Sequence, residues 1–232
     1  ATDRHTRLMT VSSVQYASGL RLNLESLAAG CRARGILLCL DAIQSLGAIP
    51  FALTASPVDF VMADGHKWLL GPEGCGILYI SRKLQEQVEP VEFGWTNAAS
   101  YSDYSSRDLT PWNDARRYEC GTLNTIGCYG LRASLDFILG IGVERIAPVV
   151  QSLADRIAGG ARAKAYEMLG ERTPETGAGI VSFRRADVDG RALCSNLRAK
   201  GIIAVLRAGW VRMSPHFYLL PEEIERVVEL LP

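Results

Sequence analysis

The chain has 232 residues, and its 25 lysine and arginine residues balance its 25 aspartate and glutamate residues. This length allows a substantial core in one large or two small domains. The balanced charge argues against a nucleic-acid partner, and no apolar run approaches the ~20 residues of a membrane span. The composition therefore favours a globular protein with neither nucleic acid nor membrane as its partner.

The six cysteines are scattered and contain no C-x-x-C pair. Disulfide-rich secreted domains have denser and more regular cysteine spacing, so the pattern favours a reducing, cytoplasmic compartment. The first five residues do not resemble a signal peptide.

The first predicted elements form a strand–helix–strand unit. Residues 7–14 are apolar and β-branched, which predicts a strand, and Asn23 is suited to cap a helix that Gly35 ends. Residues 36–40 are a continuous apolar run, typical of a strand buried on both faces in a parallel sheet. We therefore expect an α/β fold.

Two chemically active side chains follow predicted strands. Asp41 comes directly after residues 36–40, and Lys67 follows a second predicted strand at residues 58–63 and precedes a glycine-rich exit. Ligands of open α/β sheets bind outside the carboxyl ends of strands, so we expect both side chains to face one crevice.

An acid and a lysine in this arrangement suit pyridoxal phosphate (PLP). The carboxylate pairs with the protonated pyridine nitrogen, while the lysine amine holds the aldehyde as a Schiff base. Each residue taken alone has a plainer interpretation. Asp41 would be a turn former or helix cap, and Lys67 an ordinary surface lysine on a loop.

Two longer segments carry a resemblance to a known family. The segments LCLDAIQSLGAIPF and VDFVMADGHKWLLGPEGCGILYI resemble the core of class V aminotransferases, which are fold-type I PLP enzymes. Cysteine desulfurases, several aminotransferases, epimerases and kynureninase belong to that family. The resemblance implies a three-layer α/β/α large domain with a mostly parallel sheet, followed by a small C-terminal α+β domain.

The resemblance also implies roles for individual residues. Asp41 pairs with the pyridinium, Gln44 lies near the ring hydroxyl, and His66 contacts the cofactor phosphate. Lys67 forms the Schiff base. Many relatives carry a phosphate-binding serine two residues before this histidine, whereas this chain has the anionic Asp64.

Two further cofactor contacts are implied by short motifs. The stretch V-S-x-V places Ser13 as a contact to the ring or substrate, although a polar strand end explains it equally well. The motif E-x-G-T-x-N contains Gly121 and Thr122. In the family this threonine reaches the neighbouring subunit's phosphate, which implies a homodimer. From the residues alone, Thr122 is an ordinary residue at the start of a helix.

Arg212 is the candidate for substrate binding. It lies in an apolar predicted strand and belongs to an R-x-S element whose arginine holds the substrate's α-carboxylate in the family. The alternative is a structural salt bridge to Glu222, Glu223 or Glu225. Relatives commonly have Asn-Thr where this chain has Leu219 and Leu220, so the last helix lacks a polar cap.

The reaction type is narrowed by a missing cysteine. Cysteine desulfurases carry a nucleophilic cysteine on a loop just before the arginine element, whereas residues 203–210 contain neither a cysteine nor room for that loop. We therefore expect a PLP-dependent transferase, an aminotransferase acting on an amino acid and a keto acid, in which Lys67 also moves the α-proton. The alternatives are a cysteine desulfurase-like lyase, an amino-acid epimerase and a non-catalytic fold-type I remnant that serves as a binding module.

The remaining expectations concern organisation. We place a domain boundary at Gly140, which gives a partial PLP-binding large domain at residues 1–140 and a small α+β domain at residues 141–232. Family members carry a sizeable segment before this point, so the chain looks truncated at its N-terminus. Residues 93–111 are predicted to be either a lid or binding loop or a disordered stretch. One apolar helical stripe is expected to lie in the core: Ile126, Tyr129, Ala133 and Phe137.

Overall fold

The computed structural model describes residues 2–53 and 57–232, which form two sheets. The first sheet contains, in spatial order, β1 (Leu8–Ser12), β2 (Leu37–Asp41), β3 (Phe60–Asp64) and β4 (Gly76–Ile80). The first three strands are parallel, and β4 runs antiparallel to β3. The mostly parallel sheet expected from the apolar runs is confirmed.

The crossover between β1 and β2 is the predicted helix, α1 (Leu24–Ala33). Asn23 caps it, because its side-chain oxygen accepts a hydrogen bond from the Ser26 N–H at 3.0 Å. Ala28 and Cys31 of α1 are buried in the same core cluster as Leu38 and Leu40 of β2. Burial of both faces explains why β2 has a continuous apolar sequence rather than an alternating one.

The short helix α2 (Arg82–Gln85) and a largely irregular segment lead to two long helices, α3 (Thr125–Ile141) and α4 (Val143–Ala163). Gly142 separates them with a φ of 92°, a left-handed conformation that favours glycine. Along α4, Ile146, Val150 and Leu153 are buried, as its apolar periodicity predicts.

The predicted core stripe of α3 is wrong. Ile126, Tyr129, Ala133 and Phe137 are exposed, whereas the buried residues of this helix are Gly127, Leu131 and Ile138. Both sides of α3 are apolar, so periodicity alone could not decide which one packs inward. The deciding contact is tertiary, because Leu131 packs against the glycines that surround Lys67.

The C-terminal part is an antiparallel sheet covered by helices. Its strands are β5 (Glu167–Met168), β6 (Val181–Arg184), β7 (Val205–Arg207) and β8 (Trp210–Met213), in the spatial order β5-β6-β8-β7. With α5 (Gly190–Ala199) and α6 (Pro221–Glu229) they form the expected α+β architecture. Asp189 caps α5, since its carboxylate accepts the Arg191 N–H at 2.8 Å.

The core that supports the lysine segment crosses the predicted domain boundary. It combines Trp68 with Leu131 of α3, Ile146 of α4 and Ile180 just before β6. A separate core, centred on residues such as Leu153 and Phe183, fills the C-terminal part. The boundary at Gly140 therefore stays a prediction, but the lysine segment is held by elements from both sides of it.

Two further observations complete the fold. Within residues 2–53 and 57–232, no helix has the length and apolar character required to cross a membrane. Residues 93–111 contain Trp95, Tyr101 and Tyr104, whose rings lie 5.9–6.2 Å apart around Trp95. The expected lid or binding role of this segment stays a prediction.

Candidate functional site

Asp41 ends β2 with its carboxylate held in place. One oxygen accepts the Ser12 hydroxyl at 2.9 Å, and the other accepts the backbone N–H of Ile43 at 2.9 Å. Ser12 and Asp41 are register partners on β1 and β2, so the sheet itself sets this contact. A carboxylate oriented in this way lies at the sheet edge where α/β proteins bind ligands.

Lys67 follows β3 in a tightly folded segment. The Gly71 N–H donates to the Gly65 carbonyl at 2.8 Å, and the Gly65 N–H donates to the Cys75 carbonyl at 2.8 Å. A side chain at either glycine would lie 2.7 Å from an existing atom, the Cys75 carbonyl oxygen for Gly65 and a Leu131 methyl for Gly71. The glycine-rich exit is therefore needed for close packing, and it leaves Lys67 half-buried.

A cavity of about 380 Å³ brings distant predicted residues together. Gln44 from the segment after β2, Lys67 after β3 and Arg212 on β8 all line it. Its other lining residues are Tyr16, Trp68, Arg207, Ser214, His216 and Tyr218. None of these side chains is acidic, so the cavity presents the three cations Lys67, Arg207 and Arg212 without a lining carboxylate.

Arg212 projects toward the first sheet. Its Nε–H donates to the Tyr16 carbonyl at 2.7 Å. Burial lowers the pKa of Arg212, and the nearby charge of Arg207 lowers it further. Among the described residues Arg212 forms no ion pair, and Glu225 pairs instead with Arg156 at 2.9 Å. The remaining guanidinium N–H groups are thus available to a carboxylate in the cavity.

Trp68 and His216 are cavity residues that the sequence reasoning missed. The Trp68 indole N–H donates to the Gln44 side-chain oxygen at 3.3 Å, and its ring lies 5.1 Å from the imidazole of His216. His216 Nδ1 accepts the Phe217 N–H at 3.0 Å, and its Nε2 is buried without a hydrogen-bond partner in the described chain. Burial lowers the pKa of His216. A tryptophan directly after the candidate lysine was the available signal.

Several predicted residues lie outside the cavity lining. Ser13 is buried, and its hydroxyl is 2.6 Å from the Ser45 hydroxyl and donates to the Asp41 carbonyl at 3.1 Å. It therefore supports the Asp41 segment from inside the protein. Asp41 itself is not a lining residue, but it stands three residues before Gln44, which is one.

The predicted phosphate contacts are also away from this cavity. His66 is exposed beside the half-buried Lys67. Gly121 and the exposed Thr122 precede α3, and the Asn124 amide ties the start of that helix to the Gly74 carbonyl at 3.1 Å. The phosphate-binding roles of His66, Gly121 and Thr122 stay predictions.

The fold and the site together define an α/β protein of the PLP-transferase class, with an acid and a lysine past neighbouring strand ends and an arginine on a C-terminal α+β part. The family model of class-V aminotransferases matches residues 1–220, and the chain belongs to this family. Pyridoxal phosphate is the cofactor of the family.

Three comparisons describe what the chain is similar to. It is 30% identical over its whole length to a probable cysteine desulfurase of Methanothermobacter thermautotrophicus, and 31% identical over 97% of its length to isopenicillin N epimerase of Streptomyces clavuligerus. The apo structure of the cysteine desulfurase from Thermococcus onnurineus NA1 superposes on 98% of the chain with a TM-score of 0.90 and 27% identity. The chain covers 61%, 60% and 59% of these three proteins, respectively.

The residues present fit the family's cofactor. PLP needs an anion for its pyridinium nitrogen and an amine for its aldehyde. Asp41 offers a carboxylate fixed by two hydrogen bonds, and Lys67 offers a half-buried amine at the next strand end. The register pairing of Asp41 with Met62 places these strand ends side by side.

Proposed function

We propose that this chain carries the catalytic lysine of a PLP-dependent enzyme that acts on an amino acid, and that the reaction is transamination. The observation that carries the proposal is the convergence of Gln44, Lys67 and Arg212 on one cavity, with the fixed carboxylate of Asp41 at the adjoining strand end.

The residues have distinct tasks in this proposal. When bound, the cofactor supplies an electron sink for the bonds at the α-carbon. Lys67 provides the amine that holds the cofactor and the base that moves the α-proton. Asp41 keeps a proton on the pyridine nitrogen, and Gln44 lies near the ring hydroxyl. Arg212 orients the substrate by binding its α-carboxylate with two parallel hydrogen bonds.

The hairpin before Arg212 favours transamination over persulfide chemistry. β7 and β8 are joined by only Ala208 and Gly209, both with positive φ (47° and 83°), while Arg207 pairs with Trp210. Such a two-residue turn leaves no loop to carry a nucleophilic cysteine into the cavity. Cys194 instead packs against the C-terminal core, and burial raises the pKa of its thiol.

A homodimer is also part of the proposal. The outward face of α3 exposes Ile126 and Tyr129 by 86% and 75%, and Phe137 is exposed on the same helix. Exposed apolar patches of this kind mark protein contacts. Thr122 lies just before this helix, so a second copy docked on α3 would approach it.

A cytoplasmic location is also part of the proposal. The six cysteines are all free thiols, the state that a cytoplasmic location maintains.

Product analysis tests the reaction type. The purified protein is incubated with PLP, a panel of amino acids and a 2-oxo acid, and the products are separated by chiral chromatography. Transamination predicts a new amino acid derived from the oxo acid. Sulfide released from cysteine would instead indicate a lyase, and racemised substrate without amino transfer would indicate an epimerase. Cofactor binding without any turnover would support the binding-module alternative.

A further inference from the structure

Arg207 is a second arginine on the wall of the Lys67 cavity. It ends β7, and the register pairs Val205 with Arg212 and Arg207 with Trp210. Paired residues of an antiparallel ladder share a face, and residues two apart on a strand also share one. Arg207 and Arg212 therefore project from the same face of the β7–β8 hairpin.

The two guanidinium groups lack a neutralising carboxylate. In the described chain, Arg207 has neither an ion pair nor a side-chain hydrogen bond, and Arg212 donates only to the Tyr16 carbonyl. Both line a cavity that also contains Lys67 and no acidic side chain. Arg212 is half-buried and Arg207 is exposed beside it at the end of β7. An anion bound between the two guanidinium groups would offset the repulsion of their like charges.

The number of cations exceeds what a simple amino acid requires. In the proposed function Arg212 takes the α-carboxylate and Lys67 acts on the α-carbon. Arg207 then has no task at the α-carbon, and it lies on the same hairpin face, diagonally across the ladder from Arg212. An arginine recognises a carboxylate with two parallel hydrogen bonds, so a second carboxylate matches it in geometry and charge.

We propose that Arg207 determines specificity by binding the distal carboxylate of a dicarboxylic amino acid or 2-oxo acid of four or five carbons. The inference rests on the proposed function for the reaction at the α-carbon, but the dianion site itself is a property of the apo protein. Both arginines line the same cavity as Lys67, so one dianion could contact them together.

Calorimetric binding of unreactive anions tests the site directly. Succinate and glutarate are compared with butyrate on the purified protein, on Arg207→Gln, and on Arg162→Gln as a control at an exposed arginine of α4. We expect both dicarboxylates to bind at least about tenfold more tightly than butyrate, and Arg207→Gln alone to abolish that preference. Equal binding of butyrate and glutarate to the unmodified protein would overturn the proposal.

Competition with inorganic phosphate tests whether the site is specific for dicarboxylates or binds any oxyanion. Phosphate that competes with glutarate as strongly as succinate does, and that also depends on Arg207, would identify a general oxyanion site and overturn the dicarboxylate assignment. Weak competition from phosphate supports it.

Turnover then separates this inference from the proposed function. With PLP present, Arg207→Gln is expected to reduce kcat/KM about 100-fold for 2-oxoglutarate and less than about threefold for pyruvate. Turnover with no preference for dicarboxylates would contradict the role of Arg207 and leave transamination standing. Dicarboxylate binding that depends on Arg207, without any PLP chemistry, would support the role of Arg207 and contradict transamination.

Discussion

At the scale of single residues, the packing of Trp68 sets the backbone position of Lys67. Trp68 is only 5% exposed and is enclosed by Val150, Gly179 and His216, while its indole N–H is hydrogen-bonded to Gln44. The buried tryptophan therefore fixes the backbone position from which the Lys67 side chain extends. The geometry of the candidate site thus depends on the packing of the residue next to Lys67.

Gly179→Ala tests how tightly Trp68 is held. The added methyl would lie 2.6 Å from a Val150 methyl and closer still to the Trp68 ring. Overpacking of this kind costs about 1–3 kcal/mol, so the free energy of unfolding in urea should fall by that amount. Gly159→Ala is the control, because its methyl meets no atom within 4 Å on α4 and should raise helix stability by about 0.5–1 kcal/mol. Equal stability of both variants would contradict the packing described.

His216 predicts a pH dependence of stability. Burial depresses its folded-state pKa below the ordinary value of 6.5, so the unfolded chain binds a proton first as the pH falls. Stability from this group is therefore complete above pH 6.5 and is lost progressively at lower pH. In His216→Gln, the free energy of unfolding should depend less steeply on pH between about 6.5 and 5. A slope identical to that of the unmodified protein would show that His216 titrates normally.

At the scale of elements, the start of α3 depends on two hydrogen bonds made by the side chain of Asn124. Asn124 caps it by accepting the Gly127 N–H at 2.9 Å, and the same amide donates to the Gly74 carbonyl at 3.1 Å. One side chain therefore starts the helix and attaches it to the segment that follows Lys67. The contact with Gly127 is local in sequence, whereas the contact with Gly74 joins segments that are far apart in the chain.

Two substitutions at Asn124 separate these roles. Asn124→Asp keeps the capping oxygen and loses the donor to Gly74, whereas Asn124→Ala loses both. We expect Asn124→Ala to cost about 0.5–2 kcal/mol of unfolding free energy and Asn124→Asp to cost less. Urea unfolding followed by circular dichroism measures both. If Asn124→Asp were as damaging as Asn124→Ala, the link to Gly74 would outweigh the cap.

Helices and strands were predictable where the local sequence pattern allowed only one interpretation. The cap at Asn23 and the buried run of β2 follow from residue chemistry within a few positions. The inward face of α3 was not predictable, because Ile126 and Leu131 lie on two competing apolar faces and only the contact with Gly65 and Gly71 selects one.

At the scale of the whole molecule, that outward face of α3 predicts self-association. Sedimentation velocity should show a dimer. The double variant Ile126→Lys/Tyr129→Lys should be shifted toward the monomer, because two positive charges then replace apolar side chains at the contact. Val91→Lys is the control, since Val91 is 99% exposed and lies outside α3. A monomer at every concentration tested would contradict the proposed homodimer.

The site was predictable only in the part that strand ends define. Lys67 lines the cavity, as its place past a strand end predicts, and Arg212 was found through its resemblance to a family motif. Asp41 lies at the neighbouring strand end but is not a lining residue, so its role stays a prediction. Arg207 and His216 were not found, because they reach the cavity only when the C-terminal sheet packs against the first one, and no local spacing encodes that contact.

The most direct test of the central claim is the identity of the lysine that holds PLP. The protein is incubated with PLP and reduced with borohydride, which fixes the cofactor to the lysine that bonds it, and the labelled peptide is mapped by mass spectrometry. We expect a single label on Lys67, no label in Lys67→Ala and an unchanged label in Lys83→Ala, a control at an exposed lysine. A label that persists in Lys67→Ala, or one that lies on another lysine, would contradict it.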